Sequence, residues 1–253
     1  MAGGFTQPQG KGVMIFATSW TLAALGFDVK GLAVANTRIL KREATTYAEY
    51  GITDWLTGIA QTTLSDRYVT NIITSRFGAV TVSDRYRGLD LGGLGLRMRL
   101  ARAGPFSIAV EGNLRLSGAT DRFRLAQAGH TGIEGDIRLQ ASVNFNLWSW
   151  PGYAAVSLGY RARTAGPADE YRADFTLGIR PRERWLWLLQ SFNSVSAASG
   201  GYGYRRMREH KLVTSVVYDI DKRWSVQGGT IGTIAGKNVP RDVGAFTAVW
   251  YRF

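Results

Sequence analysis

The chain has 253 residues, a formal net charge of +12 and no cysteine, which removes disulfides, thiolate chemistry and Cys-based metal sites together. The longest apolar stretch, residues 13–27, is broken by Thr18, Ser19 and Thr21 and falls short of the roughly 18 residues a spanning helix needs. Basic residues are scattered among acidic ones with no compact basic motif, so nucleic acid is a poor explanation of the charge.

No Pro/Ser-rich linker interrupts the chain, so residues 1–253 read as one domain. Ala2, Gly3 and Gly4 after Met1 have the look of a mature start after signal removal. Segments of about ten residues with alternate apolar positions then follow one another, separated by turn residues, as membrane barrel strands do. Short turns are predicted near residues 51–54, 102–105, 149–152, 181–184 and 219–222, and longer loops near 21–37, 70–87, 118–132, 164–169, 196–203 and 236–242. Residues 94–100 carry Arg97 and Arg99 on a polar face, with a bulge expected at Gly92 and Gly93. Residues 106–117 and 171–180 alternate in the same way. In residues 133–147, Ile133, Ile137, Leu139, Val143, Phe145 and Leu147 oppose Glu134, Asp136, Arg138, Gln140, Ser142, Asn144 and Asn146. Alternation is weak in 53–65 and 185–195, whose faces stay unassigned.

Tyr50, Trp55, Trp148, Trp150, Tyr153, Trp185, Trp187, Tyr218 and Trp224 cluster beside the short turns, as the aromatic girdle at one membrane interface would. Tyr68, Tyr86, Tyr171 and Tyr204 suggest a weaker girdle at the long-loop end. The last residues alternate Val243, Ala245, Val249, Tyr251 and Phe253 on one face, resembling the C-terminal signal read by the bacterial barrel-assembly machinery. The expected fold is all-β: an up-and-down antiparallel transmembrane β-barrel of about twelve strands, with short periplasmic turns and longer extracellular loops. Residues 1–11 would be an N-terminal periplasmic segment, and the expected location is the Gram-negative outer membrane.

The run Tyr47-Ala48-Glu49-Tyr50-Gly51-Ile52-Thr53-Asp54-Trp55-Leu56-Thr57, the opening Gly4-Phe5-Thr6-Gln7-Pro8 and the close Trp250-Tyr251-Arg252-Phe253 resemble poorly characterised proteobacterial outer-membrane proteins. Some of these are grouped with transporter-like barrels of the phenol meta-degradation pathway. The resemblance covers both ends and the first hairpin, and the middle only in rhythm. It implies a barrel and transport, with no defined substrate or catalytic residue.

Alternation assigns Lys41, Glu43, Glu49, Arg97, Arg99, Glu111, Arg115, Glu134, Asp136, Arg138, Arg161, Arg163, Arg172, Asp174, Arg180 and Lys211 to the lumen, basic residues in excess. Two readings stand. One is a narrow channel whose guanidinium groups favour small anionic solutes; the other is a lumen filled by paired charges, with no conductance. Arg122, Arg124, Arg205, Arg206, Arg208, Lys237 and Arg241 in loops would face outer-membrane lipid and lipopolysaccharide. No protein partner is specified. An enzyme is not expected: His130 and His210 lack a recognisable serine partner, and a lipid hydrolase would need His210 to meet a serine and a carboxylate. Neither a metal site nor a cofactor is indicated, since Gly92, Gly93 and Gly95 do not complete a dinucleotide motif.

Overall fold

The computed structural model describes residues 4–253 apart from 76–77, 122, 128–130, 165 and 202–203, and within strands it leaves the side chains of 36, 72–75 and 78 undescribed. Twelve strands follow in order: β1 (Gly12–Phe27), β2 (Ala33–Thr53), β3 (Leu56–Ser75), β4 (Gly78–Ala103), β5 (Phe106–Leu116), β6 (Ile133–Leu147), β7 (Trp150–Arg163), β8 (Glu170–Arg182), β9 (Trp185–Ser196), β10 (Arg208–Asp219), β11 (Trp224–Lys237) and β12 (Val239–Arg252). Each pairs antiparallel with its sequence neighbour, and β1 pairs with β12 from Val13↔Arg252 to Phe27↔Val239, closing the barrel. Closure leaves no unpaired strand edge, the condition for strands to cross a hydrocarbon layer.

The two faces separate by period 2. Leu94, Leu96, Leu114, Ile137, Leu139, Leu158, Trp187 and Val249 point outward and are exposed, whereas the residues between them face the lumen. Large apolar side chains pointing away from the protein on most strands are what a lipid-facing belt requires. Among the described residues, no helix is long and apolar enough to cross a membrane; the crossing elements are strands.

Short turns fall within one or two residues of their expected places. Three of the expected long loops are largely strand: of 21–37 only 28–32 lie between β1 and β2, β3 and β4 run on to Ser75 and from Gly78, and β11 passes to β12 through Asn238 alone, at φ 53°. Alternation is visible over residues 81–87, and the hydroxyl and charged residues of the 70–87 segment had made it look like a loop. The expected bulge lies at Asp90, where pairing steps from Thr63↔Leu91 to Leu64↔Leu89. Turn carboxylates fix several reversals. Asp221 accepts the backbone N–H groups of Trp224 and Arg223, both at 2.7 Å, which holds its carboxyl below the usual range. Asp28 does the same for Leu32 and Lys30, at 2.8 Å each.

At the short-turn end, Tyr50, Trp55, Trp148, Trp150, Trp185, Trp187, Trp224 and Phe253 form an outward ring, with Trp185 against Tyr218 at 4.9 Å and Trp224 against Tyr251 at 4.7 Å. Tyr153 does not belong to it: its strand phase turns it inward, opposite Asn144. At the other end Tyr68 and Tyr171 face outward, joined by Trp20 and Tyr160, but Tyr86 faces inward and Tyr204 lines the mouth.

Candidate functional site: a lumen with two unlike walls

Every expected lumen residue, from Lys41 and Glu43 to Arg180, turns its side chain inward, and on β4 to β8 they form rows of alternating charge. Cα partners run Arg97↔Glu111↔Arg138, then Asp136↔Arg161↔Glu170, then Arg115↔Glu134↔Arg163. Opposite charges directly across neighbouring strands attract, and like charges there repel. Arg97 bridges Glu49 at 2.9 Å and Glu111 at 2.8 Å, with all three buried. Arg138 grips Asp136 and reaches Asp174 at 3.0 Å. Arg163 joins Glu170 at 2.7 Å and Glu134 at 3.1 Å, and Arg161 lies 3.3 Å from Asp136. Lys41 pairs with Glu43 at 3.2 Å, and Arg180 with Asp219 at 2.7 Å.

Among the described residues the expected basic excess is not there. Arg67 and Arg252 also face inward, but so do Asp84, Asp90, Glu170, Glu209, Asp219 and Asp242, which brings the inward charges of the barrel as a whole close to balance. Two guanidinium groups are less well matched. Arg115 comes only within 4.0 Å of Glu134, and the buried Nε of Arg172 has no hydrogen-bond partner.

The opposite wall is apolar. Val13, Leu186, Leu188, Val217, Ala248 and Trp250 form one buried cluster, with Ile15, Ala17 and Tyr153 packed against it. It spans β1, β7, β9, β10 and β12. Its polar concession is Trp250, whose indole N–H donates to Gln227 Oε1 at 2.9 Å. Between the walls lies a cavity of about 490 Å³ that touches Ile15, Leu188, Phe192, Phe246 and Trp250 on one side and Arg97, Glu111, Arg115 and Arg138 on the other.

Residues 4–9, expected as part of a periplasmic segment, lie inside the lumen at its short-turn end, bonded to Arg97 of the cavity lining. Gly4 N–H donates to Ser142 Oγ at 2.6 Å and its carbonyl accepts from Ser107 at 3.0 Å; Arg97 donates to the Phe5 carbonyl at 3.1 Å. Gln7 donates to Glu49 at 2.6 Å and through its backbone to Thr57 Oγ1 at 2.9 Å, and the Phe5 ring meets Tyr153 edge-on at 6.4 Å. Gly51 makes room for this arrangement. A β-carbon there would lie 2.0 Å from the Pro8 carbonyl oxygen, so only glycine lets the segment lie against β2.

The loop between β5 and β6 folds over the other end. Arg67 donates to the Ala126 carbonyl at 2.9 Å, Asp84 accepts the Ala126 N–H at 3.0 Å, and Arg124 pairs with Asp84. Ala126 and Gln127 are buried there. Below them a second cavity of about 380 Å³ is lined by Lys41, Arg163, Tyr204, Lys211 and Asp242 among others. Arg124 is thus committed to the barrel, and Arg206 donates to the Ala197 carbonyl at 3.3 Å; neither is a freely solvated rim charge. Arg122 and His130 lie outside the described residues. His210 sits on the outer face, and its Nδ1 meets the Asn193 amide oxygen at 2.7 Å, where a hydrolase would need a carboxylate. Among the described residues no group of three or more His, Cys, Asp or Glu is placed to hold a metal ion.

No protein-family model and no curated protein sequence matches the chain. Solved structures do. An outer membrane channel from Pseudomonas putida F1 superposes with a TM-score of 0.66 at 13% identity, covering 100% of this chain and 99% of that one. The fold is that of the outer-membrane β-barrels. The NanC porin gives a TM-score of 0.58 at 4% identity over 94% and 98% of the two chains. The transport unit of the autotransporter AIDA-I from Escherichia coli gives 0.55 at 8% identity over 98% and 91%.

Proposed function

We propose that the protein is a bacterial outer-membrane channel, not an enzyme, passing small solutes through a narrow lumen and favouring those that join an anionic group to an apolar body. The observation that carries this reading is the central cavity, with a charged wall on one side and a largely apolar one, interrupted by Gln190 and Gln227, on the other. A water-filled porin has no use for Leu188, Phe192, Phe246 and Trp250 facing its lumen, whereas an aromatic or aliphatic body does. The anionic group would meet Arg115 in the cavity lining, with Arg172 behind it against Asp174 of the same lining. Their neighbours Arg97 and Arg138 are consumed by carboxylates, so anion preference rests on fewer residues than the lumen sequence suggested.

The second reading, a barrel without conductance, is favoured by the N-terminal segment, which is bonded across the short-turn end of the lumen from β2 to β6. Proteoliposome entry rates decide between them. Benzoate is expected to enter faster than glucose and faster than benzylammonium, and Arg115→Gln with Arg172→Gln to cut the benzoate rate several-fold while leaving glucose unchanged. Equal rates for all three solutes would refute the preference. No entry of any, with folded protein, would favour the barrel without conductance.

A further inference from the structure

Arginines also stand on the outward face, where the barrel meets lipid. Outward residues of β1 to β4 line up across the strands as Trp20↔Arg42↔Asp66↔Arg87, then Leu22↔Leu40↔Tyr68↔Arg85, then Arg38↔Thr70↔Ser83. The row on the short-turn side of these is Thr18↔Ala44↔Leu64↔Leu89, which carries no charge. Arg85 holds Asp66 through two hydrogen bonds, at 2.7 and 2.6 Å, and Arg87 adds a third at 3.2 Å. Asp66 is the only carboxylate on the outward rows of these four strands among the described residues, set against four guanidinium groups. The side chains of Arg85 and Arg87 remain 50% and 68% exposed despite the pairing. Leu40, Arg42, Asp66, Tyr68 and Arg85 enclose a cleft of about 150 Å³.

The height of this patch fixes what it can meet. Strands rise ~3.3 Å per residue and tilt by ~40°, or roughly 2.5 Å of height per residue. Asp66 therefore stands roughly 28 Å above the Trp55 girdle, at the upper edge of an apolar band ~25 Å tall. Trp20 and Tyr68 beside it are the residue types that mark that boundary. Outward cations at that level face lipid headgroups, and forked guanidinium groups match phosphate oxygens in pairs.

We infer that the outward face of β2 to β4 is a binding site for a phosphorylated glycolipid headgroup of the outer leaflet, of the lipid A type, with its phosphate on Arg42, Arg85 and Arg87. The inference rests on the outer-membrane reading above, and it moves the lipid contact from the loops to the strands. Detergent-folded full-length protein is titrated with bis-phosphorylated lipid A and with the same lipid stripped of phosphate, and adducts are counted by native mass spectrometry. The phosphorylated lipid should bind about tenfold more tightly. Arg42→Gln/Arg85→Gln/Arg87→Gln should abolish that preference, and Arg208→Gln/Arg241→Gln elsewhere on the rim should keep it. Asp66→Asn, which frees two guanidinium groups, should raise affinity, a gain that misfolding cannot mimic. Equal binding of the two lipids, a preference that survives the triple variant, or no gain in Asp66→Asn overturns the inference. Displacement of the lipid by millimolar inorganic phosphate would mean a free-anion site and also overturn it. Solute entry through the triple variant should match the unaltered protein, so failure of the lipid site and failure of the channel reading are separate results.

Discussion

On β4 to β8 the inward residues alternate in charge from strand to strand, whereas on β9, β10, β12 and β1 many inward residues are as apolar as the outward ones. Leu186 and Leu188 face the lumen while Trp187 and Leu189, between and beside them, face lipid. The same pleat thus carries two stabilising strategies. The charged wall costs desolvation at every residue and holds only while each ion has its partner. The apolar wall gains from removing side chains from water and tolerates local change better. A lumen built from both offers a solute an electrostatic surface and a hydrophobic one within a single narrow space.

Breaking the charged wall should do most harm. Arg97→Leu leaves Glu49 and Glu111 buried without their cation and removes a bond to Phe5, so a loss of about 3–5 kcal/mol in urea unfolding is expected. A loss under 1 kcal/mol would show the wall to be hydrated and screened. On the other wall, Leu188→Ala should cost about 2–3 kcal/mol and slow benzoate more than glucose; equal slowing of both would remove the apolar wall from the solute path. The smallest effect belongs to a turn outside both walls. The Asp221 carboxyl titrates below its unfolded value because two N–H groups hold its charged form. Its contribution is present above about pH 4 and fades as pH falls through the lowered folded value. Asp221→Asn should therefore lower the melting temperature slightly at pH 7, by a difference that shrinks as pH falls into the acid range.

Much of this was legible in the sequence, and the two walls show why the rest was not. Strand number, turn positions, the short-turn girdle and the inward set on β4 to β8 followed from alternation, because polar lumen residues contrast with apolar lipid-facing ones. Residues 185–195 resisted because both faces of β9 are apolar at its short-turn end, which erases that contrast. Glu170, Asp219 and Asp90 escaped because they sit at the first residue of β8, the last of β10 and a bulge, where the phase of alternation is lost. Asp84, Arg85 and Arg87 were hidden by the assignment of their segment to a loop. The segment across the short-turn end of the lumen had no pattern to betray it: residues 4–9 are held by hydrogen bonds to Ser142, Ser107, Thr57 and Glu49, partners far away in sequence.

In the proposed channel a passage runs between the two walls, with residues 4–9 lying across its short-turn end. Ion conductance in planar bilayers, compared between the full chain and a chain lacking residues 2–9, tests that most directly. The full chain should give small currents, and removal of the segment should raise conductance several-fold without changing the strand content or heat-modifiable migration of the folded barrel. Equal conductance in the two proteins, or none in either, would contradict a passage that the segment closes.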